Sequence, residues 1–335
     1  MKPKFVPALR ALAACVCASL LLLTAFAQDK KQEPPKMSEA EQQAIAKLNA
    51  AAGPDAKLKA GVEYLKKNSK APSRPKVAGY LADEISNVND PAQRLTLIAE
   101  FNKNFNQPAE VEMVKPTMIE ALSRQGKFDE VISEGGKYLE KNPEDPIVNT
   151  LVAYAGANAV QRQPANADLA RNATAAGVKA VELMEADKKP EKMDVTYWNN
   201  FRNAWLPRLY QARGFTLFFT GDKAGAREQL EKSMGLDPYD GNTLLMLSNI
   251  QNDEYQALAQ KYQTEKKQAV LDQALSKMDE LVDTLARAAA AMEGDARFQQ
   301  MLPQVTEQLK QYYGFRHNNS TDGLKELIEK YKKKA

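Results

Sequence analysis

Apolar residues recur every three or four positions along almost the whole chain from Ser38 onward, in runs separated by proline, glycine and asparagine. This spacing places the apolar side chains on one face of an α-helix. No stretch shows sustained alternation of β-branched and polar residues, so the pattern predicts an all-α protein without a sheet. The predicted helices span residues 38–50, 55–68, 74–88, 91–105, 110–125, 128–141, 147–161, 166–186, 194–220, 223–235, 241–262, 266–292, 295–314 and 322–333.

The first residues have a different pattern. A basic segment is followed by an apolar run over 11–27, which ends in small residues at Ala25 and Ala27 and then becomes polar. These features are typical of a secretory signal peptide, and the run is shorter than the roughly 20 apolar residues of a membrane-spanning helix. We expect cleavage after Ala27 and export to the periplasm or the medium. The alternatives are a retained anchor or lipidation of Cys15, and only these would place the protein at a membrane.

Cleavage would change both the charge and the redox chemistry of the chain. The segment removed contains three basic residues and no acidic one, so 43 of the 46 basic residues remain against 43 acidic ones. A balanced charge argues against nucleic acid as a partner, because nucleic-acid binding depends on an excess of basic surface. Cys15 and Cys17 are the only cysteines. The mature chain would therefore have no disulfide, no thiol nucleophile and no cysteine-ligated metal.

A repeated helix-turn-helix pattern is clearest over residues 207–252. Gly214 lies inside the first predicted helix, Gly221 begins the turn, Ala226 lies in the second helix, and Pro238 follows that helix. Small residues let two helices cross closely, glycine permits the turn, and proline stops a helix from continuing. This order resembles the tetratricopeptide repeat, a unit of about 34 residues.

A second, looser copy covers residues 112–145. It runs from Gly126 to Pro143, and Val131 and Gly135 stand where the family usually has alanine and a larger apolar residue. The resemblance implies an α-solenoid of tetratricopeptide-like helical hairpins with a helical C-terminal cap, since such units must stack to bury their apolar faces. The expected regions are a signal peptide at 1–27, a polar linker at 28–37, N-terminal hairpins at 38–110, tetratricopeptide-like repeats at 111–262 and a long-helix cap at 263–335.

The resemblance also implies where a partner would bind. In this family the first helix of each pair lines a concave groove that takes extended or helical peptides. Gln211 and Phe215 stand where members that bind chaperone tails place lysine and asparagine, so we expect a different, more apolar peptide. Transferring the groove register to this sequence selects Tyr154, Asn158, Arg208, Gln211, Phe215 and Asn249 as candidate partner-binding residues. The alternative is that the aromatic residues of this region, Trp198, Trp205, Phe215, Phe218 and Phe219, are packing residues.

The last third contains a heptad pattern on one long predicted helix. This pattern could mediate contact between chains, or it could pack on the neighbouring predicted helices as the cap of the repeat array. The apolar positions are Leu271, Leu275, Met278, Val282, Leu285, Ala289 and Met292.

The sequence contains no catalytic constellation. His317 is the only histidine, and its polar neighbours are typical of a helix end. Ser73 and Lys76 have the spacing of a Ser-x-x-Lys motif, but Pro75 between them disfavours the helix that would align the pair, and the companion motifs are missing. We therefore predict no catalytic residue, no cofactor and no metal site.

Three functions remain open from the sequence. The first is an exported, non-catalytic scaffold that binds a protein or peptide in its groove. The second is a structural or assembly component of the cell envelope, anchored if the signal is retained. The third is an enzyme whose site the sequence does not reveal.

Overall fold

The computed structural model describes residues 38–163, 166–191 and 193–333, and this part of the chain contains fourteen α-helices and no strand. The all-α prediction is confirmed. The predicted signal peptide and linker lie outside the described residues. The helices are α1 Glu39–Ala50, α2 Gly53–Asn68, α3 Arg74–Ser86, α4 Pro91–Asn104, α5 Pro108–Arg124, α6 Phe128–Leu139, α7 Pro146–Arg162, α8 Ala167–Glu185, α9 Val195–Phe219, α10 Lys223–Leu236, α11 Gly241–Glu265, α12 Gln268–Met292, α13 Leu302–Arg316 and α14 Leu324–Tyr331.

The helix ends follow from local sequence. Asp145, Asp194 and Asp240 precede α7, α9 and α11, and each carboxylate accepts at least one hydrogen bond from a backbone N–H group of the first turn. Such caps satisfy donors that have no partner inside the helix. Gly126 and Gly221 follow α5 and α9 with φ of 69° and 94°, a backbone conformation that glycine adopts without steric cost. The helices therefore begin and end close to the predicted residues.

Helices that are adjacent in sequence pack against each other, as in the pairs α6 with α7, α7 with α8, α9 with α10, and α11 with α12. Small residues permit this close packing. A Cβ added at Gly156 would lie 2.3 Å from the Cβ of Ala173 on α8, and one added at Gly214 would lie 2.6 Å from Cγ of Leu230 on α10. Ordinary carbon contacts are about 3.5–4.0 Å. The backbones of these pairs approach each other at positions where a larger side chain has no room.

The apolar faces form a series of clusters along the chain. One joins α1 to α5 around Leu81 and Phe101, and the next joins α5 to α9 around Val148 and Met184. A small cluster around Leu230 lies between α10 and α11, and the last joins α11 to α14. None of the helices in the described ranges is both long and apolar enough to cross a membrane.

The heptad positions of α12 pack within the chain. Leu285 is fully buried and belongs, with Val305 and Leu309 of α13, to the last cluster. Met278 is also buried, whereas Leu271 near the start of α12 is only half-buried. Of the two interpretations of the heptad pattern, this packing favours the helical cap.

One predicted helix was wrong. Residues 295–314 do not form a continuous helix. They contain a 3₁₀ turn, Ala296–Phe298, and α13 begins at Leu302. Pro303 lies in the first turn of α13, where proline is tolerated. If the helix continued toward the N-terminus past Pro303, it would lose a hydrogen bond there, because proline has no backbone N–H.

Candidate partner-binding cleft

A cleft of about 990 Å³ lies between α5, α7, α9 and the turn that connects α10 to α11. Lining side chains come from residues 116–124 of α5 and 147–154 of α7 on one side. The long helix α9 contributes residues from 197 to 211, and the turn and its flanking residues, 233–242, close the opposite side. This volume lies within the range of about 300–1,000 Å³ that is common for ligand sites in proteins.

The α9 side of the cleft is a stripe of residues spaced three or four apart, so that they share one helix face. The aromatic members come first and the polar members follow. With a rise of 1.5 Å per residue, the fourteen steps of the stripe extend over about 21 Å. The members of this α9 stripe are Tyr197, Phe201, Trp205, Arg208 and Gln211.

Aromatic rings in and behind the cleft form a connected chain. Phe128 meets Tyr154 with ring centroids 6.0 Å apart, and Tyr154 meets Trp205 edge to face at 5.7 Å. Trp205 then lies 5.9 Å from Phe201, which stacks on Trp198 at 6.2 Å. Aromatic pairs in such arrangements contribute about 0.5–1.5 kcal/mol beyond their buried area. The rings of the cleft wall are therefore held in place before any ligand arrives.

The start of α9 is fixed by the residues that precede it. Asp187 has a φ of 53° and accepts hydrogen bonds from Nε1 of Trp198 at 2.7 Å and from Nη1 of Arg202 at 2.8 Å. Further along α9, Tyr210 donates to Glu185 at the end of α8. Burial and then this hydrogen bond raise the pKa of Tyr210 to about 12, so its hydroxyl keeps its proton at neutral pH. These contacts hold α9 against α8 and set the direction of the stripe.

Large apolar side chains are exposed on both walls of the cleft. Tyr197 is 59% exposed on α9, and Leu236 and Tyr239 are 52% and 42% exposed on the opposite turn. They are three of the seven large apolar side chains that are exposed in the described part of the chain. Exposed apolar surface that is grouped in one concavity is typical of an interaction site, whereas scattered apolar residues are not.

Most charged groups in the cleft already have partners. Glu120 binds Arg94 at 2.5 Å and lies 4.0 Å from Arg124. Arg297 pairs with Asp295. Arg208, by contrast, lies with its guanidinium carbon 5.5 Å from the centre of the Trp205 ring and makes no ion pair within the described residues.

Two helices carry a proline at the cleft, Pro116 in α5 and Pro207 in α9. A proline has no N–H, so the carbonyl four residues earlier loses its helical partner. On α9 that carbonyl belongs to Asn203, whose side chain also lines the cleft. The carbonyl of Pro207 itself accepts a hydrogen bond from Oγ of Ser233 at 2.9 Å. Within α9, the carbonyl of Asn203 therefore lacks the N–H that residue 207 would otherwise donate.

The structure brings three of the six candidate residues together in this cleft: Tyr154, Arg208 and Gln211. Gln211 lies at its end, where Nε2 donates to Oγ1 of Thr243 at 2.8 Å and to Asp240. Tyr154 belongs to the chain of rings, and Arg208 stacks on that chain.

The other three candidates lie outside the cleft. Asn158 donates to the carbonyl of Tyr154 within α7 at 2.8 Å. Phe215 packs against the cluster that contains Leu230, and Asn249 is exposed on α11. The register places Phe215 one turn beyond Gln211, but by that point α9 is packed against α10 and its face no longer borders the cleft.

Several lining residues were not among the candidates. Phe201 and Trp205 continue the face of Arg208 at spacings of four and three, so the helix period could have identified them. Leu236 and Tyr239 come from a turn whose position opposite α9 depends on tertiary packing. No local sequence signal marks them.

Ser73 and His317 each contact neighbouring side chains. Oγ of Ser73 lies 2.5 Å from the hydroxyl of Tyr64 and donates to Glu41, and the ring of His317 stacks on Tyr313 with centroids 4.1 Å apart. Over the described ranges, no group of His, Cys, Asp or Glu side chains could hold a metal ion.

Comparison with known proteins adds no assignment. A scan against protein-family models finds no match, and a search of curated proteins finds none either.

Proposed function

We propose that this chain is an exported, non-catalytic repeat protein of the tetratricopeptide type, which binds a segment of a protein partner in the aromatic cleft. Export rests on the signal-peptide pattern and predicted cleavage after Ala27. The repeat assignment, and with it a solenoid arrangement, rests on sequence resemblance and on helix packing that is compatible with it.

The packing of α9 on α10 supports the repeat register. The family pattern requires small residues where the two helices cross. Ala226 is completely buried, and Gly214 leaves no room for a side chain beside Leu230. Gly221 has the positive φ that the turn requires. The environments of these three residues are therefore compatible with the repeat pattern.

The observation that carries the function is the grouping of exposed apolar side chains with a fixed chain of rings. Tyr197, Leu236 and Tyr239 are exposed within one cleft whose wall contains the packed rings of Tyr154 and Trp205. Aromatic residues held rigidly in a concavity are typical binding hot spots, because they contribute contact area with little loss of conformational entropy. The polar side chains that line the cleft beside these rings can form hydrogen bonds with the amide groups of a peptide.

Site-specific photo-crosslinking tests this proposal. A photoreactive amino acid replaces Tyr197, which is 59% exposed in the cleft, and the protein is activated in the exported fraction of its host. The matched control carries the same group at Val178 of α8, which is 45% exposed and does not line the cleft. Mass spectrometry identifies the crosslinked peptides.

We expect one protein, crosslinked through a defined segment, from position 197 and not from position 178. In the variant that carries the photoreactive group at position 197, the additional change Trp205→Ala should reduce this crosslink strongly, because it removes the central ring of the wall. The proposal is wrong if both positions give the same set of adducts, since the cleft would then have no preference over ordinary exposed surface.

A further inference from the structure

We propose that the partner segment carries a carboxylate one helical turn from an apolar side chain, and that Arg208 binds this carboxylate while Trp205 and Phe201 contact the apolar side chain. The inference rests on the proposed function and specifies the chemistry of the ligand. It follows from the arrangement of charges and rings along the α9 stripe.

Arg208 differs from the other arginines of the cleft. Arg124 lies within 4.0 Å of Glu120, and Arg297 is paired with Asp295. Arg208 is exposed, and in the described part of the chain its recorded partner is the face of Trp205. Stacking on a ring limits the orientations of the guanidinium but leaves its N–H donors free to bind a carboxylate, for which the planar guanidinium is well matched.

No acidic group of the cleft forms an ion pair with Arg208 in the described part of the chain. Glu120 is engaged by two arginines. Asp240 caps α11, where it accepts the backbone N–H of Thr243 at 2.7 Å, and it also accepts from Gln211. Asp237 lies on the opposite turn and accepts a long hydrogen bond of 3.3 Å from the backbone of Tyr239. On the α9 wall, Arg208 is therefore a guanidinium beside the rings that has no carboxylate within 4.0 Å among the described residues.

The stripe also fixes the spacing of the ligand groups. Phe201, Trp205 and Arg208 follow each other at intervals of four and three residues on one face of α9. A helical ligand lying along this face would match them with two apolar residues four positions apart and an acidic residue three positions further. A length of about 21 Å corresponds to about 14 helical residues.

Isothermal titration calorimetry with synthetic peptides tests the inference. The acidic probe is a helix-forming peptide of about 14 residues, with phenylalanine and leucine four positions apart and glutamate three positions beyond. The neutral probe has glutamine instead of glutamate. Both are made in both chain directions, because the structure does not impose one. The purified protein is titrated at low and at high ionic strength.

We expect the acidic probe to bind about threefold to tenfold more tightly than the neutral one at low salt, as for a partly exposed charge-assisted hydrogen bond. Salt should reduce this preference, since it screens exposed charges. Arg208→Gln should abolish the preference, and Arg208→Lys should retain part of it. The matched control is Arg213→Gln, which removes the same charge from α9 outside the cleft and should leave the preference unchanged.

The outcomes separate this inference from the proposed function. Equal affinity for both probes, together with loss of binding in Trp205→Ala, would overturn the role of Arg208 and retain the cleft as a peptide site. Absence of binding by every probe would overturn both proposals. If the preference for the acidic probe persists in Arg208→Gln, or disappears in Arg213→Gln, it arises from the overall charge of the protein and the role of Arg208 is overturned.

Discussion

Replacing Gly135 with alanine should destabilise the protein, whereas the same change at the next residue, Gly136, should stabilise it. Both glycines lie inside α6. A Cβ at Gly135 would lie 2.4 Å from Cγ2 of Val152 on α7, whereas one at Gly136 would have no atom within 4 Å. Val152 is 3% exposed and β-branched, so its methyl groups cannot easily turn away. The contact is more than about 1 Å too short, and α6 must move away from α7.

The magnitude follows from comparing the two variants. Each gains about 1 kcal/mol because alanine is the better helix former. Only Gly135→Ala has in addition the cost of overpacking, which is typically about 1–3 kcal/mol. The difference between the variants should therefore be about 1–3 kcal/mol, independent of the helix propensity that they share. Urea unfolding followed by far-ultraviolet circular dichroism measures both midpoints. If Gly135→Ala is as stable as Gly136→Ala, α6 and α7 do not cross at Gly135.

Three further predictions concern a packing residue, a buried charge and the N-terminus. Phe215→Ala should lower the free energy of unfolding by about 2–4 kcal/mol and leave the peptide affinity of the folded protein unchanged, because Phe215 packs in a cluster beside the cleft; reduced affinity with unchanged stability would return this residue to the site. Glu110 is buried and burial raises its pKa, but the hydrogen bonds from Arg74 and the backbone outweigh burial and lower the pKa below its usual value. The charged Glu110 therefore stabilises the fold above the ordinary pKa of glutamate, and this stabilisation is lost as the pH falls through the lowered pKa. On acidification, the melting temperature of the parent protein should fall more steeply than that of Glu110→Gln. Intact mass spectrometry of the exported protein should give the mass expected for cleavage after Ala27, and a retained or lipidated N-terminus would give a larger mass.

The sequence could predict the helices because their signals are local. Period, caps and breakers determine where helices begin and end, and α7 and α9 lie within one residue of their predicted limits at each end. The error at 295–314 also has a local cause. The apolar spacing continues through this segment, but the turn at Ala296–Phe298 is stabilised by the side chain of Asp295, which accepts the backbone N–H of Arg297.

The cleft could be predicted only in part, because it depends on which helix faces meet. The register predicts the face of Arg208 and Gln211. Of the rings that precede them on this face, the sequence offers Trp205 only as a candidate packing residue, and it assigns no role to Phe201. Trp205 has both roles, since it packs on Phe201 and also lines the cleft. The opposite wall at Tyr239 depends on how α10 turns back toward α9, which no pattern within either helix specifies.

The two tryptophans of this protein differ in exposure, so their fluorescence can be compared within one molecule. Trp198 is 1% exposed and its indole N–H is bonded to Asp187, whereas Trp205 lies in the wall of the cleft. The chain has no other tryptophan, so its indole emission comes from one shielded ring and one ring that a ligand would cover. A water-soluble quencher should therefore reduce the fluorescence of Trp205 more strongly than that of Trp198. The part of the emission that a bound segment protects from the quencher would measure occupancy of the cleft, without any label attached to either molecule.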